Sequence, residues 1–388
     1  MFFGNDRIKD EEIAQLKAKI KALEEKASGE DALFNEINDV LTKFEKGLVE
    51  ISLKQTSQNP KLNSIKEALN KALQTNANFS NQIIKTLIEY GNANFEYPVS
   101  IEGISGKTGS IILGVRALGS SISELLAILD MTSNELNNEM IELANASNML
   151  ANASNQQAAS LEETAAALEE VTSTIVSTNE NTALMAKLST EVSNSASKGQ
   201  ELANETFVSM DSINQEVSAI DQAIVVIDQI AFPASQISSQ SKSIQTLAQT
   251  LVDVVGHTKY NQNAKKQVCD VDLMFTLNRL KLDHINFKDS NFAKLDNKAT
   301  FKVTASTECN LGKWLDVQER EGKTFTKTQN WTHLKDVHNK VHSGVQGIVD
   351  NNNAGNLAKM LSDTLEIDKA ISDVFWTIQQ TKIENCGK

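Results

Sequence analysis

Three histidines and one cysteine near the C-terminal end of the chain have the residue types and the spacing of a metal site. His338 and His342 are four residues apart in HLKDVHNKVH, so on a helix both rings project from one face and can close on one ion. His284 keeps helical spacing with the leucines that precede it, and Cys309 stands at the start of the segment CNLGKWL. Three imidazoles and one thiolate suit tetrahedral zinc.

The same four residues allow a second interpretation, in which they are core histidines satisfied by hydrogen bonds beside an inert buried cysteine. This interpretation is costly, because each of three buried imidazoles then needs a partner for its ring nitrogens. A catalytic zinc is disfavoured, since His338 is followed by Asn339 and not by the glutamate that acts as base in zinc peptidases. A fourth protein ligand would also fill the position of a reactive water. We therefore predict zinc binding without enzymatic activity.

A second pattern with chemical content is a pair of overlapping ten-residue segments, AASLEETAAA and AAALEEVTST. The pairs Glu162-Glu163 and Glu169-Glu170 are seven residues apart, so on a helix they lie on the same side. The small flanking residues leave these carboxylates open to a docking enzyme. The alternative is the ordinary acidic flank of a coiled coil.

The elements that position these residues are predicted to be helices. Aromatic residues make up 5 % of the 388 residues, and the chain has 3 prolines and 17 glycines. An all-β or α/β enzyme needs more turn-forming residues and more bulky core residues than this. The sequence therefore predicts an all-α fold, with a long coiled-coil rod followed by a C-terminal four-helix bundle.

The rod is predicted from a seam of apolar and small residues that runs from Leu161 to Ile227. Its steps alternate between 3 and 4 without a slip over 67 residues, which corresponds to roughly 100 Å of helix. A helix with one apolar stripe is not stable alone, so we predict a parallel homodimer. Between Ser120 and Phe232 there are 17 acidic residues and two lysines. This charge excludes nucleic acid and anionic membranes as electrostatic partners.

Breaks in composition divide the chain into four predicted segments. Asn59-Pro60 ends the first one, because the residue before a proline is pushed out of the helical region. A loop with Gly103, Gly106 and Gly109 follows the next helices. The segments are an N-terminal coiled coil at 1–58, a helical region at 59–114, a coiled coil at 115–256 that is cut short at Phe232/Pro233, and a four-helix bundle at 265–384.

The sequence also predicts a cytoplasmic protein with no membrane span. No stretch approaches the ~18 uninterrupted apolar residues of a spanning helix. The start, MFFGNDRIKDEE, becomes charged at once and lacks the apolar core of a signal peptide. Three scattered cysteines, at positions 269, 309 and 386, are not expected to form a disulfide framework.

Two parts of the chain resemble bacterial methyl-accepting chemotaxis proteins. QQAASLEETAAALEEVTSTI and SINQEVSAIDQAIVVIDQIAF, within about residues 115 to 232, are similar to the descending methylation and adaptation arm of that family. LDHINFK, CNLGKWL and HLKDVHNKVH resemble the zinc-binding domain at the C-terminus of many soluble chemoreceptors. Residues 59–114 resemble a membrane-proximal relay module. The resemblance implies that the zinc ligands are His284, Cys309, His338 and His342, and that Glu163 and Glu170 accept methyl groups.

The resemblance implies a chemotaxis signal transducer that senses through its zinc site. Its expected partners are a second copy of the chain, other chemoreceptors, an adaptation methyltransferase, and the chemotaxis histidine kinase with its coupling adaptor. Phe232 is followed by Pro233-Ala-Ser-Gln, where the family continues into the hairpin bend that docks the kinase, and a proline should end or kink the helix there. The alternative is therefore a kinase-uncoupled zinc or redox module that modulates intact receptors by coiled-coil pairing.

A redox role follows from the predicted ligand Cys309. A metal-bound thiolate is the form that oxidants attack, and an oxidised sulfur is a poorer ligand. The sequence therefore predicts one zinc per chain that is lost on mild oxidation. The alternative is a purely structural zinc with an inert cysteine.

Overall fold

The computed structural model describes residues 3–100, 104–191, 234–295 and 300–387, and within these ranges it is helical with no β-strand. The predicted all-α class is confirmed. Short 3₁₀ helices lie at Gln262–Lys266 and Thr324–Lys327, and a single β-bridge joins Asn94 to Lys259. The α-helices are α1 (Phe3–Glu45), α2 (Pro60–Gly91), α3 (Gly106–Glu191), α4 (234–256), α5 (Val271–Phe292), α6 (Asn310–Arg320), α7 (Gln329–Asn353) and α8 (Leu357–Cys386).

The chain divides into two compact units. The first consists of Met1–Ile128 together with His257–Lys388, and the second is Leu129–Gly256. The helix α3 supplies residues to both units. The four predicted segment boundaries stay predictions.

The first unit contains a C-terminal bundle of α5, α6, α7 and α8. Side chains cap its helices, since Asp270 accepts from the N–H of Leu273 and Thr328 accepts from the N–H of Trp331. A Cβ at Gly344 would lie 2.8 Å from a side-chain carbon of Ile367, so this glycine allows α7 and α8 to pack closely. The bundle core includes Leu277, Leu280, Leu311, Leu334, Val341, Val345, Ile348, Ile371, Val374 and Ile378.

The first turns of α3 complete this bundle, which the sequence did not predict. Leu113 and Ala117 belong to the same apolar core. The carboxylate of Asp368 on α8 accepts a hydrogen bond from the N–H of Gly106 at 2.9 Å and pairs with Lys288 on α5. Lys288 also donates to the carbonyl oxygen of Gly106 at 3.0 Å. Both charged side chains are buried, so this pair fixes the start of α3 against α5 and α8.

The predicted glycine loop is wrong for two of its three residues. Gly106 begins α3 with a φ of +67°, and Gly109 lies inside the helix. A Cβ at Gly109 would lie 2.7 Å from a carboxylate oxygen of Asp368, so the glycine is needed for close approach to α8 rather than for a turn. Gly103 lies outside the described residues.

A second buried ion pair joins α3 to α8. Lys382 donates to both carboxylate oxygens of Glu124, at 2.8 and 2.9 Å, and to Asn278 at 2.7 Å. Lys281 is also buried, and burial together with the charge of Lys382 lowers the pKa of Lys281 to about 7. The Glu124 carboxylate opposes this shift.

The expectation about the cysteines is wrong, because Cys269 and Cys386 form a disulfide. Cys269 lies just before α5 and Cys386 ends α8, and the two Cα atoms are 5.6 Å apart, although 117 residues separate them in the sequence. The tertiary fold brings together the beginning of one helix and the end of another, and spacing in the sequence does not show this. Cys309 is the free cysteine among the described residues.

The N-terminal helices follow the predicted break. Asn59 caps α2 through the N–H of Lys61, and Pro60 occupies the first helical position, where its missing N–H costs nothing. Between Pro60 and Pro98 the sequence predicts one amphipathic helix and a second that starts near Ile83, but α2 is one continuous helix over Pro60–Gly91. A small cluster of Val40, Leu53 and Leu73 packs α1 against α2.

The second unit contains α4 and the later part of α3. Small or compact buried residues recur at seven-residue spacing on α4, and buried serines on α3 are seven or fourteen residues apart. Ser238 of α4 hydrogen-bonds to Asn148 of α3 at 3.3 Å. The predicted seam begins on α3, but most of it, together with Phe232 and Pro233, lies outside the described residues. The buried residues are Ala234, Ser241, Ala248 and Val255 on α4, and Ser133, Ser147 and Ser154 on α3.

Among the described residues, one helix is long and apolar enough to cross a membrane by length and composition, over Gly106–Met185. Its early turns carry Ile112 and Leu113, both fully buried, and Leu113 belongs to the bundle core. The core helix of a soluble protein passes the same test. The absence of a membrane span stays a prediction.

Candidate metal centre

The four predicted ligands come together on three elements of the bundle. His284 lies on α5, Cys309 is the N-cap of α6, and His338 and His342 lie one turn apart on α7. One ligand atom from each residue lies within 4.8 Å of the others. Tetrahedral ligands at zinc distances are about 3.3–3.7 Å apart, so a small contraction would close this set around one ion.

The rings of the three histidines face one another at steep angles. The ring centroids of His284 and His338 are 4.9 Å apart at 79°, and those of His338 and His342 are 4.8 Å apart at 87°. The sulfur of Cys309 lies 3.1 Å from Nε2 of His338. This is an arrangement of atoms converging on a centre, not of stacked core rings.

Hydrogen bonds to the backbone fix two of the rings. Nδ1 of His284 lies 2.8 Å from the carbonyl oxygen of Leu280, and Nδ1 of His342 lies 2.8 Å from that of Thr304. A carbonyl only accepts, so Nδ1 carries the proton in each ring and Nε2 presents its lone pair. Both Nε2 atoms are buried without a hydrogen-bond partner. Two orphaned acceptors beside a sulfur fit a bound zinc ion.

The same Nε2 atoms decide against the core-histidine interpretation. In that interpretation, hydrogen bonds satisfy both nitrogens of each buried ring, and here they satisfy one nitrogen in His284 and one in His342. A buried acceptor without a partner costs about 1–3 kcal/mol. A metal ion removes that cost for both rings at once.

Burial keeps the imidazoles neutral, which is the form that binds metals. Desolvation lowers the pKa of His284 to about 4 and that of His338 to about 3, and it also lowers the pKa of His342. Burial raises the pKa of the Cys309 thiol, and the backbone N–H groups of Gly312 and Leu311 oppose this rise.

Gly312 is a residue of the site that sequence reasoning missed. Its N–H donates to the sulfur of Cys309 at 3.3 Å. A Cβ at this position would collide with the backbone of Ser306 and Thr307, where the chain turns into α6. The signal was present, since the glycine stands three residues after the cysteine in CNLGKWL, at the position whose N–H an N-cap side chain reaches.

A cleft of about 340 Å³ opens beside the centre. Cys309, His284 and His342 contribute to its wall, together with polar residues such as Asp283 and Asn310, which hydrogen-bond to each other at 2.8 Å. The ring of Phe287 also lines this cleft and packs on His342 with centroids 4.2 Å apart. The cleft beside the centre therefore has both polar and apolar walls.

The predicted methylation sites lie on α3. Glu163 and Glu170 are both exposed, seven residues apart on one helix, so the predicted common side is present. Their methylation stays a prediction.

A helical bundle that brings three neutral imidazoles and one cysteine sulfur within 4.8 Å of one another has the ligand set of a metal-binding domain. The family model of the chemoreceptor zinc-binding domain (CZB) matches residues 284–349. The match begins at His284 and contains Cys309, His338 and His342. The chain therefore contains a chemoreceptor zinc-binding domain, and zinc is its cofactor. Comparisons with curated proteins and with solved structures found no match.

Proposed function

We propose that this chain is a cytoplasmic signal transducer of the chemotaxis type, with the zinc-binding domain as its sensor and no enzymatic activity of its own. The observation that carries the proposal is the contact between the sensor bundle and the start of α3. His284 and Lys288 are one turn apart on α5, and Lys288 contacts both Asp368 and Gly106. A change at the metal centre therefore has a short path to the helix that carries the glutamate pairs.

Cys309 is the proposed point at which an oxidant acts. Bound zinc would hold its sulfur as a thiolate. The thiolate attacks one oxygen of hydrogen peroxide, an S–O bond forms, and the O–O bond breaks with loss of hydroxide. The sulfur is oxidised by two electrons to a sulfenic acid, and the peroxide is reduced. The cleft beside the centre gives peroxide access to the sulfur.

Oxidation of Cys309 would also alter the first turn of α6. The sulfur accepts from the N–H of Gly312 and so caps the helix. The same helix carries Trp314 and Leu315 into the bundle, where Trp314 packs on Trp331 with ring centroids 5.6 Å apart. Loss of the cap and of one ligand would change the packing of these side chains.

The proposed output runs through the coiled coil. Exposed Glu163 and Glu170 would be esterified by an adaptation methyltransferase, and the loss of two charges would weaken repulsion between paired rods. The exposed apolar residues of α3, such as Val171 and Met185, support pairing with a second copy or with other chemoreceptors. The histidine kinase and its coupling adaptor complete the proposed set of partners.

The sequence after Phe232 favours a second candidate function. Proline and a short α4 stand there in place of the hairpin bend that docks the kinase. In this candidate, the chain is a zinc or redox module that pairs with intact receptors and does not contact the kinase itself. Co-purification with the kinase in cells that lack other chemoreceptors distinguishes the two, because only the first candidate expects the kinase to be recovered.

The proposed cytoplasmic location predicts the redox state of the pair Cys269–Cys386. In the cytoplasm, thioredoxin and glutathione keep most cysteines reduced. We therefore expect the pair Cys269–Cys386 to be thiols in growing cells and a disulfide after oxidation. Alkylation of the protein in intact cells followed by mass spectrometry measures this state.

The sensing proposal is tested by counting zinc before and after oxidation. Wild-type protein should contain one zinc per chain and release it on titration with hydrogen peroxide, as measured with a chromophoric chelator. Cys309→Ser should bind zinc more weakly and should lose its sensitivity to peroxide. The matched control is Cys269→Ser/Cys386→Ser, which removes both sulfurs outside the centre, and it should still bind one zinc and release it with peroxide. If wild type keeps its zinc while Cys309 remains reduced, the redox role is wrong and only zinc binding is left.

A further inference from the structure

A cavity of about 630 Å³ in the first unit shares no lining residue with the cleft beside the metal centre. Four stretches of chain that are distant in the sequence build it: the end of α2 with the loop after it, residues 116–124 of α3, residues 261–267, and α8. Its volume falls in the range of small-molecule sites, about 300–1,000 Å³.

Arg116 places a guanidinium, which binds anions, in the wall of the cavity. Its guanidinium donates to the hydroxyl of Ser372 at 3.1 Å, and no described carboxylate forms an ion pair with it. The group is partly buried, and this desolvation lowers the pKa of Arg116. A guanidinium has five N–H donors in a planar fork that matches a carboxylate. Most of those donors are left for a ligand.

Gln267, in the wall of the cavity, has a hydrogen-bond acceptor to which no group donates. The side chain is buried, with a relative exposure of 6 %, and its Oε1 atom has no hydrogen-bond partner. The amide nitrogen is used, since it donates to the carbonyl oxygen of Asn263 at 3.4 Å. An unsatisfied buried acceptor costs about 1–3 kcal/mol, which a ligand N–H or O–H would recover.

Aromatic rings line the side of the cavity formed by α2 and its following loop. The rings of Tyr90 and Phe95 are tilted against each other with centroids 5.4 Å apart, and Tyr97 and Pro98 continue this wall. Gly119 of α3 lies under Tyr90, because a Cβ there would collide with the phenol. Such a wall fits a flat apolar body.

The other charges of the cavity favour a ligand with a single negative charge. Arg116 is the only cationic residue among those that line it. Glu124 is neutralised by Lys382, and Glu96 lies exposed at the edge. A phosphate with two charges would require a second cation, so a carboxylate is the better match.

We propose that this cavity binds a small organic carboxylate that has a flat apolar body and an N–H or O–H donor. Arg116 holds the carboxylate, Gln267 accepts from the donor, and the rings of Tyr90 and Phe95 cover the body. The site goes beyond zinc sensing, because none of its residues belongs to the metal centre. Since α3 forms one wall, occupancy would act on the same helix that the sensor bundle holds.

Calorimetric titration of the full chain with three related probes tests the proposal. The probes are para-hydroxybenzoate, para-hydroxyphenylacetate and para-hydroxyphenylpropionate. Each carries a carboxylate and a phenol hydroxyl, and the link between the ring and the carboxylate grows by one methylene from each probe to the next. At least one should bind saturably with a Kd below about 1 mM. Arg116→Gln should weaken that binding at least tenfold, whereas Arg279→Gln, the same change at an exposed arginine of α5, should leave it unchanged.

Two further measurements keep the proposal testable if Arg116→Gln does not fold. The methyl ester of the best probe should bind wild type at least tenfold more weakly, because it lacks the charge, without any change to the protein. Gln267→Leu should lose affinity for the hydroxylated probe but not for its analogue without the hydroxyl. The proposal is overturned if none of the three probes saturates, or if the ester and Arg116→Gln bind as well as the originals.

Discussion

Removing the carboxylate of Asp368 should detach the start of α3 from the bundle at a large cost in stability. Lys288 and Asp368 are both buried, so Asp368→Asn leaves a lysine charge in the interior without its counter-charge. Breaking a buried pair in this way costs about 3–5 kcal/mol. Lys288 keeps its hydrogen bond to the carbonyl oxygen of Gly106, so we expect a loss near the lower limit, about 3 kcal/mol.

Replacing both members of the pair should cost less than replacing one. In Lys288→Met/Asp368→Leu no charge remains buried, and such replacements are often neutral or stabilising. The N–H of Gly106 still loses its acceptor, which costs about 1–3 kcal/mol. The double variant should therefore be more stable than Asp368→Asn alone. Urea unfolding followed by tryptophan fluorescence measures both changes, because all three tryptophans lie on helices of the same bundle.

An exposed pair on α7 supplies the matched control. Lys340 and Asp336 are 2.7 Å apart but both are more than half exposed, so Asp336→Asn should cost less than about 1 kcal/mol. Hydrogen exchange locates the effect, because Asp368→Asn should speed exchange in the first turns of α3 and Asp336→Asn should not. Equal costs for the two variants would refute the argument that the buried pair anchors α3.

Three other predictions concern a buried lysine, the metal centre and the coiled coil. Lys281 has a pKa of about 7 in the folded chain, so between about pH 7 and 10.5 the unfolded chain binds more protons and stability rises with pH. Lys281→Met should remove up to about 1.4 kcal/mol of this rise per pH unit in urea unfolding at pH 7 to 9, whereas exposed Lys369→Met should keep it. Gly312→Ala should weaken zinc binding at least tenfold in competition with a chelator, because the methyl group displaces the turn that holds the cysteine; unchanged affinity would contradict this. Leu168→Glu/Ile175→Glu should convert a dimer to a monomer in sedimentation, and a monomeric wild type would contradict the predicted pairing.

The features that the sequence predicted well depend on local rules. Two histidines four residues apart must share a helix face, so the α7 half of the metal centre follows from spacing alone. The apolar periodicity of α5, α7 and α8 likewise predicts a bundle, since each stripe needs a partner. To place Cys309 and His284 in the centre, the prediction required only that α6 and α5 pack against α7.

The features that the sequence did not predict are contacts between distant parts of the chain. No local pattern shows that α3 enters the bundle, because Gly106 and Asp368 are 262 residues apart. The buried lysines did leave a signal, since Lys281 and Lys288 fall on the apolar face of α5 with Leu277 and His284. A lysine at a core position often pairs with a buried acid from another element, and Lys288 does so with Asp368 of α8.

The disulfide between Cys269 and Cys386 turns the stretch between them into a covalent ring. All four metal ligands lie inside that ring. A single proteolytic cut in a surface loop, such as the one between α7 and α8, would leave two fragments still joined, and a reducing agent would be needed to separate them. Tension applied at the two ends of the ring would be borne by the sulfur–sulfur bond and would bypass the helices. With the bond reduced, the same tension would fall on the packing of α5 against α8.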